Sequence, residues 1–422
     1  MEKRFLKPFR RSGKIDYALY MFKLKPWRYI ITFLGAVTFI GSVWQFINNN
    51  LVITVKITQT PWALVVGILS LLVAVLPSII EANRNKEVWK TSTLTFDKEE
   101  LHTIDLSKAQ VNRGYSIRKC VNGFASHSDK EDDFIQENPV EVDIDKKRYR
   151  RVIKNILKYV DHPSDILKKN YKSSCLNGSA FFNEEKLCLV NDFFSEKRRV
   201  CCAKGDYYSG YLTNRIWLGR VENNVTNCSK DVLNKSMKPI RDGVLKDLGD
   251  TCLNNQIGGS TLAITSDNYL VVGHQNRRVQ VNAGKMNSSG SGSADWADYH
   301  KGDSLQDCVR RTMERELCEE ICVSNNDIVK TFVLGYFRWL DMGGQPQFVG
   351  VTKLNCPISK IDLNVEEIGQ RVHLARWENV DDALTTIDNL LREKMISVPL
   401  EMNLWALKRY LEAGKGAWIL TN

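Results

Sequence analysis

Between residues 310 and 323 the chain reads RRTMERELCEEICV, four glutamates and three arginines within fourteen positions. On a helix, spacings of three and four residues place Glu316, Glu319 and Glu320 on one face. Like charges so arranged repel, and a solvated surface tolerates the repulsion at little cost, so an exposed charged face is the plain explanation. The chemical alternative is a divalent cation that turns repulsion into coordination, with hard oxygen donors suiting magnesium or manganese. Local composition does not choose between the two. The elements that would position the acids have to decide.

Those elements read as a compact α/β domain. GGSTLAITSDNYLVVGHQ, from 258, has the pattern of two strands across a Ser-Asp-Asn turn. RRVQVNAGKMNSSGSGSADWADYHKGD follows as a Gly/Ser-rich loop, and Asp303 or Ser304 is a suitable N-cap for the acidic helix. Strand patterns at TFVLGYFRWL, PQFVGVTKLN and VHLARW and a last helix, VPLEMNLWALKRYLEAG, complete the set.

At this point the chain resembles the Nudix hydrolase family. The family signature runs Gly, five residues, Glu, seven residues, Arg-Glu, an aliphatic, any residue, Glu-Glu, any residue, Gly, an aliphatic. Arg315-Glu316-Leu317-Cys318-Glu319-Glu320-Ile321-Cys322-Val323 matches its second half except that Cys322 stands in place of Gly. In strict register the first Glu falls on Asp307 and the first Gly on Lys301. A second register takes Gly302-Asp303-Ser304-Leu305 as the helix start, displaced by about one turn, with SSGSGSADWAD as the glycine loop. The resemblance covers roughly residues 258 to 415.

The resemblance implies hydrolysis of a nucleoside diphosphate linked to another group, with Mg2+ (or Mn2+) on the helix carboxylates. A pyrophosphate is anionic and resists attack by water, and a metal addresses both difficulties. Glu316, Glu319 and Glu320 would be the ligands, and Arg315 would orient a carboxylate. Gly290 and Gly292 would let backbone approach a phosphate, Asp295 or Asp298 would add a ligand, and Asp307 is an extra acid in the strict register. Specificity would lie outside the signature, at Arg277 and Arg278 or at aromatics such as Phe337, Trp339 and Trp377, for each of which core packing or surface exposure is an equal explanation.

Towards the N-terminus the texture changes. YIITFLGAVTFIGSVWQFI (29–47) and PWALVVGILSLLVAVLPSII (61–80) carry no ionisable side chain and are near the roughly 20 residues that span a bilayer. Residues 1–28 carry net charge +7, and Arg84, Lys86 and Lys90 follow the second run, whereas the connection has only Lys56. The positive-inside rule then places both termini in the cytoplasm, which gives a multi-pass anchor of two helices, in a bacterial inner membrane rather than a eukaryotic organelle. Gly35, Ala36, Gly41 and Ser42 either pack helices together, which is a route to a homo-oligomer, or are simply tolerated in lipid. The net +10 of the whole chain resides almost entirely in its first 90 residues, so nucleic acid is not an expected partner.

Between these parts, 91–255 reads as an α+β region of no nameable family. DIDKKRYRRVIKNILKYV (143–160) has Val152, Ile153, Ile156, Leu157 and Val160 at helical spacing. SAFFNEEKLCLVNDFF and KRRVCCAKGDYYSGYLTN suggest hairpins, and a short helix fits 230–236. Eleven cysteines include no Cys-x-x-Cys pair, which argues against a zinc site or a disulfide framework.

The expected organisation is therefore a basic tail and helical hairpin over 1–90, an α+β region over 91–255, and a Nudix-like α/β/α sandwich over 256–422. The expected function is metal-dependent pyrophosphate hydrolysis of a small nucleotide derivative at the membrane. A receptor that binds a nucleotide signal and drives the two-helix module is the alternative. The retained carboxylates favour the enzyme; the hairpin anchor and the missing signature Gly favour the receptor.

Overall fold

The computed structural model describes residues 13–24, scattered positions between 33 and 68, and residues 92–102, 114–176, 181–192, 198–223, 228–276, 282–364, 368–371 and 376–420. The chain divides into two compact units, residues 1–95 with 220–230 and residues 96–219 with 231–422. The described parts of the smaller unit are a helix, Gly13–Leu24, and most of a three-stranded sheet formed by Ser92–Phe96, Gly219–Asn223 and Cys228–Asp231.

The structure corrects the expectation of a multi-pass membrane location. No helix among the described residues is long and apolar enough to cross a membrane. Gly13–Leu24 has only 12 residues, and Leu305–Ile321, with 17, carries charge along one side. The two apolar runs, 29–47 and 61–80, lie largely outside the described residues.

The larger unit is a mixed α/β layer structure. The strands that matter here are β1 (Ser116–Cys120), β2 (Gly123–His127), β3 (Glu141–Ile144), β4 (Glu185–Leu189), β5 (Arg199–Asp206), β6 (Gly258–Ile264), β7 (Leu270–Val271), β8 (Gly290–Ser293), β9 (Ile328–Trp339) and β10 (Gln345–Leu354). The helices that matter here are α1 (Asp129–Glu137), α2 (Leu305–Ile321) and α3 (Val398–Glu412). The main sheet runs β7-β6-β10-β9-β2-β1, with β6 and β10 parallel and the other pairs antiparallel. One edge of β6 is shared: Gly258–Thr261 pair with β8, and Ala263 and Ile264 with β7.

Period-two alternation sorts the side chains of this sheet to its two faces. Tyr336 and Phe348 pack with Cys308, Val309 and Met313 of α2. Phe337, Val349 and Val351 pack with Leu400, Leu404 and Leu407 of α3. Covered on both faces, β6 is buried at all seven positions and reads as a run of small and apolar residues without polar alternation.

The middle region joins this core. β3 pairs parallel and β4 antiparallel with β5. Leu187 of β4 donates its N–H to Ala294 O at 3.0 Å and accepts from Ile257 N at 2.9 Å, which docks β4 beside β6 and β8. The expected helix appears as Arg148–Tyr159, with Val152 and Ile156 buried against its own unit.

Three local expectations are corrected. β5 runs through Lys204-Gly205-Asp206, and the chain then turns into a helix and a π-helical turn at Tyr207–Arg215, because Asp206 caps it by accepting from Ser209 N. Cys228–Asp231 is a strand where a short helix at 230–236 was the expectation. Within the Gly/Ser-rich stretch, Gly290–Ser293 forms β8.

Candidate active site

Helix α2 is fixed at both ends. Ser304 and Asp307 form a capping box, the Ser304 side chain accepting from Asp307 N and the Asp307 carboxylate from Ser304 N. Asp307, the acid of the strict register, is thus used at the helix start, where it also pairs with Arg310 at 3.2 Å. At the other end Cys322 occupies the left-handed region at φ 55°, ψ 33°. That conformation is the physical reason for a Gly at this place in the signature.

Arg315 is the centre of the polar cluster. Its guanidinium contacts Glu316 Oε1 at 2.6 Å, Asp298 Oδ2 at 3.0 Å, Asp295 Oδ2 at 3.5 Å and the Ser293 carbonyl at 3.1 Å. Asp298 ends a short turn, Trp296–Asp298, and also accepts from Thr312 Oγ1 and from Asp295 N, both at 2.9 Å. Asp295 in turn receives Lys186 Nζ at 2.5 Å, and Lys186 donates to Glu184 at 2.9 Å. Lys186 is buried and Arg315 is half-buried. Burial works against each charge, but Asp295 and Glu184 outweigh it at Lys186, and Glu316, Asp298 and Asp295 outweigh it at Arg315.

Glu316 is the acid of this cluster most altered by its surroundings. Burial pushes its pKa up to about 7, against the opposing pull of Arg315 and Lys186. Its carboxylate lies on β8: a Cβ added at Gly292 would stand 2.1 Å from Glu316 Cδ, and one at Gly290 would stand 2.5 Å from Leu317 N. Both glycines are therefore filled by the helix and open no approach to a phosphate. Glu319 is half-buried and Glu320 is buried, and the Asn364 backbone and side chain bond their carbonyls.

The cluster also revises the alignment with the signature. Gly292 stands six positions before Asp298, which gives Gly, five residues, acid, with Asp in place of Glu. Sixteen residues, where the signature has seven, then separate Asp298 from Arg315. Six of the sixteen, 299–304, form a loop with a turn at Lys301-Gly302, the other ten are the first residues of α2, and the fold still brings Asp298 against Arg315. Neither register drawn from the sequence paired Gly292 with Asp298, because each tied the first half of the signature to the turn at Lys301-Gly302.

Lys186 and Glu184 escape any reading of the signature, since they lie more than a hundred positions upstream. Arg277 and Arg278 lie outside the described residues. Phe337, Trp339 and Trp377 are core residues at 1%, 8% and 0% exposure.

Whether the acids suit a divalent metal was tested on this geometry. Glu316, Glu319 and Glu320 supply hard donors from one helix, which is the right chemistry. Among the described residues, however, no group of three or more His, Cys, Asp or Glu side chains is gathered to hold an ion. Glu316 is bonded to Arg315, while Asp295 and Asp298 are bonded to Lys186 and Arg315.

Fold and cluster together define a layered mixed α/β protein with an Arg-Glu helix buttressed by acids of the preceding turn. No family model matches the chain, and no curated protein matches it. Among solved structures it is similar to DR0079 from Deinococcus radiodurans, at 14% identity and a TM-score of 0.25, over 36% of this chain and 81% of that one. It is also similar to the MutT protein from Methanosarcina mazei Go1, at 14% identity and a TM-score of 0.25, over 37% of this chain and 95% of that one.

Proposed function

We propose that the larger unit is a Nudix-type hydrolase that cleaves the pyrophosphate of a nucleoside diphosphate derivative. The observation that carries the reading is the contact of Asp298 with Arg315, which reunites the two halves of the signature across nine additional residues. A divalent cation, when bound, would compensate phosphate charge and activate water, and Glu316, Glu319 and Glu320 would hold it. Arg315 acts as a positioning residue, holding Glu316 through Oε1 and tied in turn to Asp298 and the Ser293 carbonyl.

A second reading is nucleotide recognition without turnover. It is favoured by Lys186 and Arg315, which already compensate Glu184, Asp295, Asp298 and Glu316 from within the protein.

Incubating the full chain with magnesium and a panel of nucleoside diphosphate derivatives, dinucleotides and cyclic dinucleotides separates the two. Release of a monophosphate that needs metal and is lost in Glu319→Gln/Glu320→Gln supports the hydrolase. Saturable binding without product in either protein supports recognition alone, and turnover unchanged in the double variant sinks the assignment of the acids.

A further inference from the structure

On the face of the sheet opposite α2, a cavity of about 210 Å³ lies between α3 and the edge formed by β9, β2 and β1. Two of its walls come from the segment 116–132, outside the part that resembles a known family, so the cavity is built by this chain's own extension of the sheet. Its floor is apolar, with Phe337, Val349 and Met402. Trp405 forms a side, and the Arg118 guanidinium sits 4.3 Å from the centre of its indole ring.

The charges around the cavity are unequal in their commitments. Arg409 is held by Asp129, Asp132 and Asp133, and Lys408 by Asp388 at 2.6 Å and Glu412 at 3.8 Å. Glu401 of α3 accepts from Val121 N at 2.8 Å and feels the Arg118 charge without forming a contact ion pair with it. Arg118 forms no contact ion pair among the described residues, and its guanidinium lies over the Trp405 ring at the cavity wall. His127, beside it, bonds Ser116 Oγ at 3.2 Å, and burial together with the Arg118 and Arg409 charges lowers its pKa to about 4, so it adds no competing cation.

A flat cation over an apolar floor selects a ligand with a planar anionic head and an apolar body. The fork of a guanidinium matches a carboxylate in two parallel hydrogen bonds. A dry cavity of about 150 Å³ takes up benzene, so about 210 Å³ has room for a single substituted ring. We propose that the cavity binds a single-ring aromatic or heteroaromatic carboxylate, its carboxylate on Arg118 and its ring on Phe337, Val349 and Met402.

The test is calorimetric titration of the full chain with benzoate and nicotinate, with inorganic phosphate as the non-planar anion. The expected result is saturable binding of one planar carboxylate per chain, weakened at least tenfold in Arg118→Leu and by a smaller factor in Arg118→Lys, which keeps charge but loses the fork. Melting curves of both variants should match the parent, and where Arg118→Leu does not fold, Arg118→Lys and Trp405→Leu carry the comparison. Absence of saturable binding of either carboxylate, equal binding by the Arg118 variants, or equal binding of phosphate would overturn the proposal. Glu319→Gln/Glu320→Gln, on the other face of the sheet, should bind as the parent does, so this site and the hydrolase reading stand or fall separately.

Discussion

Gly292 and Glu316 touch so closely that a single methyl group at Gly292 would stand 2.1 Å from the Glu316 carboxyl carbon. A Gly/Ser-rich stretch that reads as a loop thus serves as a strand surface on which the acidic helix lies. Gly292→Ala should push the flexible end of Glu316 off Arg315 at little cost in stability, whereas Gly290→Ala, whose methyl would stand 2.5 Å from the Leu317 backbone nitrogen, should cost about 2 kcal/mol, as overpacking of a tight contact does. Denaturant melts give the stability, and any hydrolysis seen in the parent should fall with it. A fully stable Gly290→Ala variant would mean that the helix does not rest on β8.

Lys186 makes the middle region a structural partner of the acidic cluster. Lys186→Met removes a buried ammonium shared by Asp295 and Glu184 and leaves both carboxylates uncompensated. Breaking a buried pair costs about 3 kcal/mol or more, and the partial exposure of the two acids reduces this to about 2 kcal/mol. Thermal melts at neutral pH should show that loss, and lowering the pH far enough to protonate the acids should recover part of it. A variant as stable as the parent would show that the cluster balances its charge without Lys186.

How much of this was legible in the sequence depends on what kind of signal each feature leaves. Helix α2 and its capping residue stand in the pattern itself, because Ser304, Asp307 and the apolar positions Leu305, Cys308, Val309 and Met313 follow helical spacing. The Arg315-Glu316 pair was legible for the same reason. Asp298 was legible only as an added acid, and its contact with Arg315 was not, because the loop at 299–304 and the first ten residues of α2 separate the two in sequence. Lys186 was not, because a lysine inside an apolar strand announces burial only once its partners are known. The strand at Gly290–Ser293 was missed because SGSG has loop composition, and the reason for it, the space taken by Leu317 and Glu316, belongs to tertiary packing.

Cys322 holds the left-handed cap of α2 without the conformational freedom of glycine. An L-residue in that region loses about 1 kcal/mol relative to glycine. Cys322 is exposed, so its side chain contributes little packing in return. Cys322→Gly should therefore stabilise the protein by about 1 kcal/mol and leave turnover or ligand binding unaltered. Cys322→Ala, which keeps the Cβ, should give no such gain, and equal behaviour of the two variants would refute the backbone explanation.

Around Arg409, three carboxylates face one guanidinium, and Asp132 is the buried one. With Asp129 and Asp133 available to balance the charge, burial dominates at Asp132 and raises its pKa to about 8, against the pull of Arg409 and the N–H of Tyr336. A carboxyl whose folded pKa lies above its unfolded value stabilises the fold below the unfolded value, near 4, and loses that contribution as pH rises towards 8. Melting temperature should accordingly decline from about pH 6.5, above the window in which His127 titrates, to pH 8 in the parent, and Asp132→Asn, which holds a neutral group at every pH, should flatten the decline. His127 works in the opposite direction. Its folded pKa of about 4 lies below its ordinary value, so its contribution is present above pH 6.5 and disappears on acidification towards 4. His127→Gln should therefore flatten the acid side of the profile while leaving the alkaline decline in place, and a decline above pH 6.5 that survives Asp132→Asn would assign it to a group other than Asp132.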